Sequence, residues 1–524
     1  MSSWFYNLIQ WHQVTKKILS MKNFFREHPL RTLILFGFTV RIIAAIFSKG
    51  FLTLDDHFNL VVDADTIANG IKLPLDYKDS VLYPWSVSLI MSAIRFFGNT
   101  SPDVEMLVIR LFQAVFSTFG IYFVYKILET ISGEESANLG GLLMASFFIL
   151  PITAVHQFEE SICQIPLLAS IWFVVRNLQS KENAIREQSN HRWYFFLAGI
   201  FLGIAMILRL QLLSFALPFV LFLFLQSSTR KHSLFFFFGF ALILLLQAAS
   251  NVSINHQFGY SFLERYVNVF KHSEALVENS GGYPAGPPWR YAITLLGIFL
   301  PPFSFLFVFA SFKSGKKNML LSLPTLSFFV AHSLIANKQE RFLLPIIPLI
   351  IIISAIGFVE IKKWFEENTF RWKIYKSLWM YFLVLNFLLL SVSIFVYGKK
   401  DRVEPLVYIQ HQHNATGIIF AEFSYTFLVP EYYFGKPMPT YIELTNRNTI
   451  IGDIEKFNGK NFSLNYCVLY SNNIEQDKIL IEQALKKKLL LQKEITPSVG
   501  DWLAHKLNPK FNKANTATVY SISD

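Results

Sequence analysis

Runs of about 17 to 22 nearly uninterrupted apolar residues recur along this chain, and each is long enough to cross roughly 30 Å of hydrocarbon at 1.5 Å per residue. "FLLPIIPLIIIISAIGFV", residues 342–359, is typical, and no ordinary soluble core needs such a stretch many times over. Charged residues make up 16% of the sequence where a soluble domain carries about 25%. The chain is therefore expected to be a multispan α-helical membrane protein. Its first 30 residues are polar, aromatic and basic, so no cleavable leader is expected and the first span serves as its own signal.

Basic residues in short loops orient the spans. Lys16, Lys17, Lys22, Arg26 and Arg31 place the N-terminal segment, residues 1–30, on the cytoplasmic side. Runs near 31–48, 106–129, 137–156, 159–177, 194–209, 211–226, 234–250, 291–311, 319–336, 342–359 and 377–396 then thread the bilayer about eleven times. "STRKH", "KSGKKN" and "IKKWFEENTFRWKIYK" all land inside, as the positive-inside bias requires. Loops 49–105 and 251–290 fall outside, as does the polar stretch 397–524. The expected division is thus a cytoplasmic segment 1–30, a transmembrane domain 31–396 and an external domain 397–524. In the last, "TGIIFAEF", "NYCVLYS" and "ATVYSI" read as strands and "IEQDKILIEQALKKKLLL" as a helix, a small α/β fold.

Charge then gathers on the external side. In "NKQERF", Lys338, Glu340 and Arg341 abut hydrocarbon on the face where Lys and Arg are disfavoured. They either snorkel to headgroups and pair among themselves or line a site. Asp55, Asp56, Asp63 and Asp65 begin where the chain leaves the first span. Adjacent carboxylates beside hydrocarbon repel each other and lose solvation, a setting that suits one of them to acid–base work. Their spacing is not that of a calcium loop. Arg41, Arg110 and Arg209 lie in or at the ends of apolar runs, where a charge costs about 2.5 to 3.5 kcal/mol on insertion scales, so each must face protein or water. Interhelical salt bridges to Glu159 or Glu160 are the plain alternative, and the favoured one for Arg41. Cations at helix ends opposite an acidic loop are what a cavity holding a phosphate and a general base needs.

At these residues a resemblance emerges. "NKQERFLLPIIPLI" resembles the "HKExRFxxPxxPL" signature of the GT-C mannosyltransferases of N-glycan and GPI-anchor assembly, with Asn337 and Gln339 departing from it. "YPAGPPWRYAITLLGIFLP" resembles "YGxxPWHWYxxxxLP", with Pro288, Trp289 and Tyr291 in place and Arg290 at the pattern's His. "LDDHFN" is similar to "PDExFQ" after the first span, "DYKDSVLYP" to "WEWxxxxRSxxxP" with Asp79 at its Arg, and "LRLQ" to a turn carrying Arg209. The match runs over residues 31–360 in the family's order. The departures point to a divergent member.

The resemblance implies a GT-C fold and a metal-independent, inverting transfer of a sugar, mannose first, from a polyprenyl (dolichyl) phosphate to a glycan or glycolipid acceptor at the non-cytoplasmic face. It implies Asp55 as the base with Asp56 as alternate, and Lys338, Arg341 and Arg209 on the donor phosphate. Glu340, Arg110, Trp289 and Tyr291 are supporting, the two aromatics being equally readable as interfacial belt residues. No cofactor and no metal are expected; His411 and His413, placed on one strand face, lack a third ligand. The expected membrane is a bacterial inner membrane or, alternatively, the endoplasmic reticulum. Transfer of arabinose, glucose or a phospho-sugar, a lipid-linked-sugar transporter or flippase, and a non-catalytic subunit remain as other readings. The net charge of +11 belongs to cytoplasmic loops facing anionic lipid, so no nucleic-acid partner is expected.

Overall fold

A computed structural model of the protein describes residues 27–73, 80–180, 190–255, 285–435, 439–458 and 463–523. Most of the basic N-terminal segment, Asp79 and most of loop 251–290 lie outside the described residues. The chain divides into two compact units, one of residues 1–43, 76–80 and 113–391 and the other of residues 44–75, 81–112 and 392–524.

The first unit is helical. All the apolar runs of the sequence are found in helices, but they are not equivalent. Among the described residues, six helices are long and apolar enough to span by themselves, and up to eight spans result if each of two bent pairs counts as one. Arg192–Leu208, Leu210–Leu225 and Met319–Leu334 are shorter. Among the described residues, length and composition alone thus carry six to eight crossings, and the three shorter helices account for the other expected runs.

Burial sorts the helices. Glu340–Glu366 has 83% of its apolar window buried and Thr369–Ser393 only 17%, so the first is the axis around which others pack and the second presents its side chains to lipid. An all-round apolar surface suits both places. Since lipid is as apolar as leucine, association must come from close approach instead. Gly199 and Gly239 provide it: a Cβ on either would strike the main chain of the opposite helix, at Phe236 and Phe196 respectively. Asn190–Leu208 and Ser227–Asn255 therefore pack backbone to backbone.

The bends have local causes. Between Arg290–Ile298 and Phe303–Gly315 the axis turns by 108°, at Pro301 and Pro302, whose rings cannot continue a helix. Between Glu134–Ser146 and Ile149–Val155 it turns by 57°, which frees main-chain groups in an apolar setting. Arg41 answers this, its Nη2 donating to the Met144 carbonyl at 2.9 Å and its Nη1 to those of Ala145 at 3.2 Å and Gly37 at 3.1 Å. Asn386 completes the repair, accepting from Phe148 N and donating to the Ser146 carbonyl, each at 2.9 Å. Arg41 is thus structural as expected, but through carbonyls rather than a carboxylate.

The second unit holds two sheets. In the smaller, β1 (Lys49–Gly50) pairs in parallel with β2 (Tyr397–Gly398). The larger is built from β3 (Gly417–Glu422), β4 (Thr440–Leu444), β5 (Tyr466–Tyr470), β6 (Lys488–Ile495) and β7 (Ala517–Ser523) in the order β4-β3-β5-β7-β6. Strands β4, β3 and β5 are parallel, and β7 is antiparallel to both its neighbours, β5 and β6. Central β3 and β5 are buried along their whole length, as strands covered on both faces must be. Ile419, Ala421, Cys467 and Leu469 pack there against Ile450, Ile454 and Ile481 from two helices. Edge strand β6 carries Lys488 and Lys493, which discourage further pairing.

The strand and helix expectations for this region hold at β3, β5, β7 and Ile474–Leu485. The predicted helix stops early, because Lys486 takes a left-handed φ of 55° and the chain turns into β6. His411 and His413 do not share a strand; His411 ends the Lys400–His411 helix and His413 has φ 56°. Much of loop 49–105 is stitched into this unit rather than into the helical one. Arg95 bridges Asp65 and Glu105, each at 2.6 Å, and Tyr432 donates to Glu105 at 2.9 Å.

Candidate active site

In the helical unit the loop 336–341 is built from two stretches far apart in sequence. Ala285 and Asn337 form an antiparallel bridge, Gly286 N donates to the Ala336 carbonyl at 3.2 Å, and Tyr291 donates its hydroxyl to the carbonyl of Gln339 at 3.1 Å. Arg290 donates to the Ala285 carbonyl at 2.7 Å and reaches Glu340 at 3.5 Å. The two motif-bearing segments thus fold into one structure, with Tyr291 buried beneath it and Trp289 exposed at 62%.

Lys338 points inward. Only 1% exposed, its Nζ donates to the carbonyls of Ser333 at 3.0 Å and His332 at 3.3 Å and to that of Ile335, and it lies 5.1 Å from the centre of the Tyr291 ring. The His332 and Ser333 carbonyls belong to the last turn of the Met319–Leu334 helix, where carbonyls have no partners within the helix, and Ile335 is its C-cap. A cation there also meets the negative end of the helix dipole. Burial, with Arg290 as a lesser cause, pulls the Lys338 ammonium below the ordinary lysine range. Its geometry is that of a helix cap.

Arg209 and Arg341 occupy a different place. Arg209 interrupts the chain between Asn190–Leu208 and a short 3-10 turn, Leu210–Leu212, in extended conformation. Its two terminal nitrogens meet Glu159 at 2.7 Å and Glu160 at 2.6 Å. Arg341 stands 3.7 Å from Glu160 and donates from Nε to Gln339 at 2.9 Å. Both guanidinium groups lie over the Phe342 ring, at 5.4 and 5.6 Å. Two like charges are thereby held at one aromatic ring, with buried Glu160 ion-paired to both and Glu159 as a further counter-charge. Glu159 and Glu160, which the sequence offered only as salt-bridge partners, are the hub of the arrangement. Their signal was an acidic pair interrupting an apolar run in "HQFEESIC".

In the other unit, Asp55 and Asp56 sit in a one-turn helix, Leu54–Asp56, that opens at once into a π-helical turn, His57–Val61. Thr53 donates its hydroxyl to Asp56, which is buried, while Asp55 keeps partial exposure. Of the two, Asp55 is therefore the carboxylate better placed to meet a ligand. Asp65 is engaged by Arg95, in a structural bridge. Arg110 is structural as well, donating from Nε to the Ala45 carbonyl at 2.9 Å.

His57, which sequence reasoning passed over, fixes this turn. It packs against both Phe51 at 4.7 Å and Tyr433 at 5.1 Å, with ring planes within 17° of parallel. Burial lowers its pKa to about 3, so the ring is neutral and acts as an aromatic brace behind Asp55 and Asp56. Nothing in "DDHFN" announces this, because its partner Tyr433 lies far along the chain.

The family model of the Alg9-like mannosyltransferases matches residues 32–418. Among curated relatives, mannosyltransferase APTG1 of Arabidopsis thaliana is 20% identical over 73% of this chain and 71% of its own length. GPI mannosyltransferase 3 of Candida albicans is 26% identical over 48% of each. Among solved structures, ArnT from Cupriavidus metallidurans bound to undecaprenyl phosphate aligns with a TM-score of 0.57 at 10% identity, covering 94% of this chain and 97% of that one. The Archaeoglobus fulgidus oligosaccharyltransferase aligns at 0.51 and 14% identity, over 88% and 72%. At such identities the structural likeness carries the fold, a helical GT-C membrane architecture. The matched model spans more than half of the sequence and includes the Asp55, Arg209 and Arg341 stretches, and on that ground the chain belongs to the Alg9-like mannosyltransferase family and is a membrane-embedded hexosyltransferase.

Proposed function

We propose that this protein transfers mannose, with inversion, from a polyprenyl-phosphate carrier to a hydroxyl of a glycan or glycolipid acceptor at the non-cytoplasmic face of its membrane. The acceptor oxygen attacks the anomeric carbon, the carbon–oxygen bond to phosphate breaks, and polyprenyl phosphate leaves with the electron pair. The hydroxyl proton passes to Asp55. Arg209 and Arg341 stabilise the charge that grows on the phosphate, and the cations of the chain rather than a divalent ion perform this task. Lys338 is a positioning residue that holds the loop carrying Arg341. Trp289 offers a flat face to lipid or sugar.

The observation that carries this reading is the pair of arginines on Phe342, oriented by Glu159 and Glu160 at the head of the Glu340–Glu366 span. Such cations are ordered before a ligand arrives, so little reorganisation accompanies the reaction. A carrier confined to the bilayer also brings its phosphate to helix ends, where these groups sit in the sequence. ArnT, which shares the fold, was crystallised with undecaprenyl phosphate, a carrier of this class.

The test is transfer of labelled mannose from a polyprenyl-phosphate donor by purified protein in EDTA-containing buffer. Asp55→Asn is expected to lower kcat by about 10²- to 10⁴-fold, the usual range for a lost general base, with donor affinity retained. Undiminished turnover by that variant would remove Asp55 from the mechanism.

A further inference from the structure

The helix Val499–Leu507 is built with its apolar stripe facing outward. Val499, Trp502, Leu503 and Leu507 follow the i, i+3, i+4, i+8 spacing of one helix face and are 72, 54, 44 and 78% exposed. Lys506 continues that face, and Lys510 follows just beyond it. The opposite side is the one that binds the unit: Asp501 is buried, and Ala504 and His505 are partly so. A helix packed on a soluble domain would show the reverse order.

The fastening of this helix is specific. Ser498 caps it by accepting from Asp501 N at 3.1 Å, in the S-x-x-D pattern of a capping box. The Asp501 carboxylate accepts from Lys399 N at 3.0 Å and Lys400 N at 3.1 Å, which ties the helix to the chain just after β2. A Cβ at Gly500 would lie 2.9 Å from a Val396 methyl, so the helix rests directly on Val396.

That location is fixed to membrane-spanning helices by two routes. Val396 is three residues past the end of the Thr369–Ser393 span, at most about 11 Å of extended chain. Strand β1, the partner of β2, begins two residues after the Pro29–Phe47 span. Ser48 donates to the Val396 carbonyl at 2.9 Å, and Phe47 meets Phe395 at 5.3 Å, so the two span ends emerge side by side.

We propose that Val499–Leu507 is an interfacial helix that lies in the headgroup region of the bilayer, with Val499, Trp502, Leu503 and Leu507 inserted among acyl chains and Lys506 and Lys510 at lipid phosphates. The occupant of the apolar stripe is thus the lipid of the bilayer that the span ends leave. Tryptophan at such a boundary, with its apolar ring and polar N–H, fits that depth, and lysines reach up from it to anionic headgroups. The helix steadies the unit that carries Asp55 against the membrane surface, and this holds whatever sugar the protein transfers.

The test uses full-length protein in nanodiscs of phosphatidylcholine and phosphatidylglycerol, spin-labelled singly at Leu503→Cys, Leu507→Cys or, as the reference, exposed Ile451→Cys. Native Cys163 and Cys467 are buried and stay unlabelled. Labels at 503 and 507 are expected to be several-fold more accessible to oxygen than to a water-soluble nickel chelate, and the label at 451 the opposite. Equal nickel access at 503, 507 and 451 would overturn the proposal. So would protection of 503 and 507 from both probes, which marks a protein partner or a second copy instead. Mannose transfer by each labelled protein is measured separately, so a failure of the lipid contact and a failure of the enzymatic reading are told apart.

Discussion

At the residue scale, the protein uses buried charge in two ways. Around Arg209, Glu159, Glu160 and Arg341 the charges compensate one another at close range. Glu422, at the end of β3, is compensated less fully. Its carboxylate accepts from Phe427 N at 3.0 Å, yet burial pushes its pKa up to about 7, Glu443 adding to the shift. An unfolded glutamate titrates near 4.5. The folded form therefore binds the proton more tightly, so Glu422 favours folding most below pH 4.5 and this contribution is lost as pH rises through 7. Glu422→Gln removes the penalty and is expected to stabilise the α/β unit at pH 8, by at most about 3 kcal/mol, with little effect at pH 4. Thiol labelling of buried Cys467 during thermal unfolding measures it; equal stabilisation at both pH values would contradict the assignment.

At the element scale, the helices owe their shapes to named repairs. The 57° bend after Ser146 exposes carbonyls that lipid cannot satisfy, and Arg41 and Asn386 serve them from two other helices. Arg41→Leu keeps the apolar bulk but orphans these groups, at about 1 to 3 kcal/mol for each carbonyl left unpaired. The variant is expected to melt several degrees lower in detergent while retaining its donor specificity. Asn386→Leu should behave alike, and the double variant should lose less than the sum, since both act on one bend. A melting temperature equal to the parent's would show that the bend is held by packing alone.

At the scale of the whole molecule, sidedness is the property on which the proposed chemistry depends. The positive-inside bias puts Trp289 and Glu340 outside and Lys317 inside. All three are well exposed. Lys338 is unsuited to a labelling test, since it is buried under its helix end. Single cysteines at 289 or 340 are expected to react with an impermeant reagent added to the non-cytoplasmic side of sealed vesicles, and a cysteine at 317 only after permeabilisation. The reverse pattern would invert the topology and with it the proposed face of transfer.

Much of this was legible in the sequence because hydrocarbon imposes a one-dimensional code. Any stretch that crosses it must be long, apolar and helical, so the runs mark the helices without reference to neighbours. The same exclusion made Arg41, Arg209 and Arg341 conspicuous, and the motifs around Asp55 and Lys338 pointed to the family before any coordinate did. Partners were not legible. That Arg209 rather than Arg41 takes Glu159 and Glu160, that His57 stacks on Tyr433, and that most of loop 49–105 joins the unit of the C-terminal stretch rest on contacts between distant residues, and that Lys338 turns inward rests on the way its own helix ends. A span is dictated by its solvent, which the local sequence records; a partner is chosen by packing and by the need to satisfy buried polar groups, which only the folded chain decides.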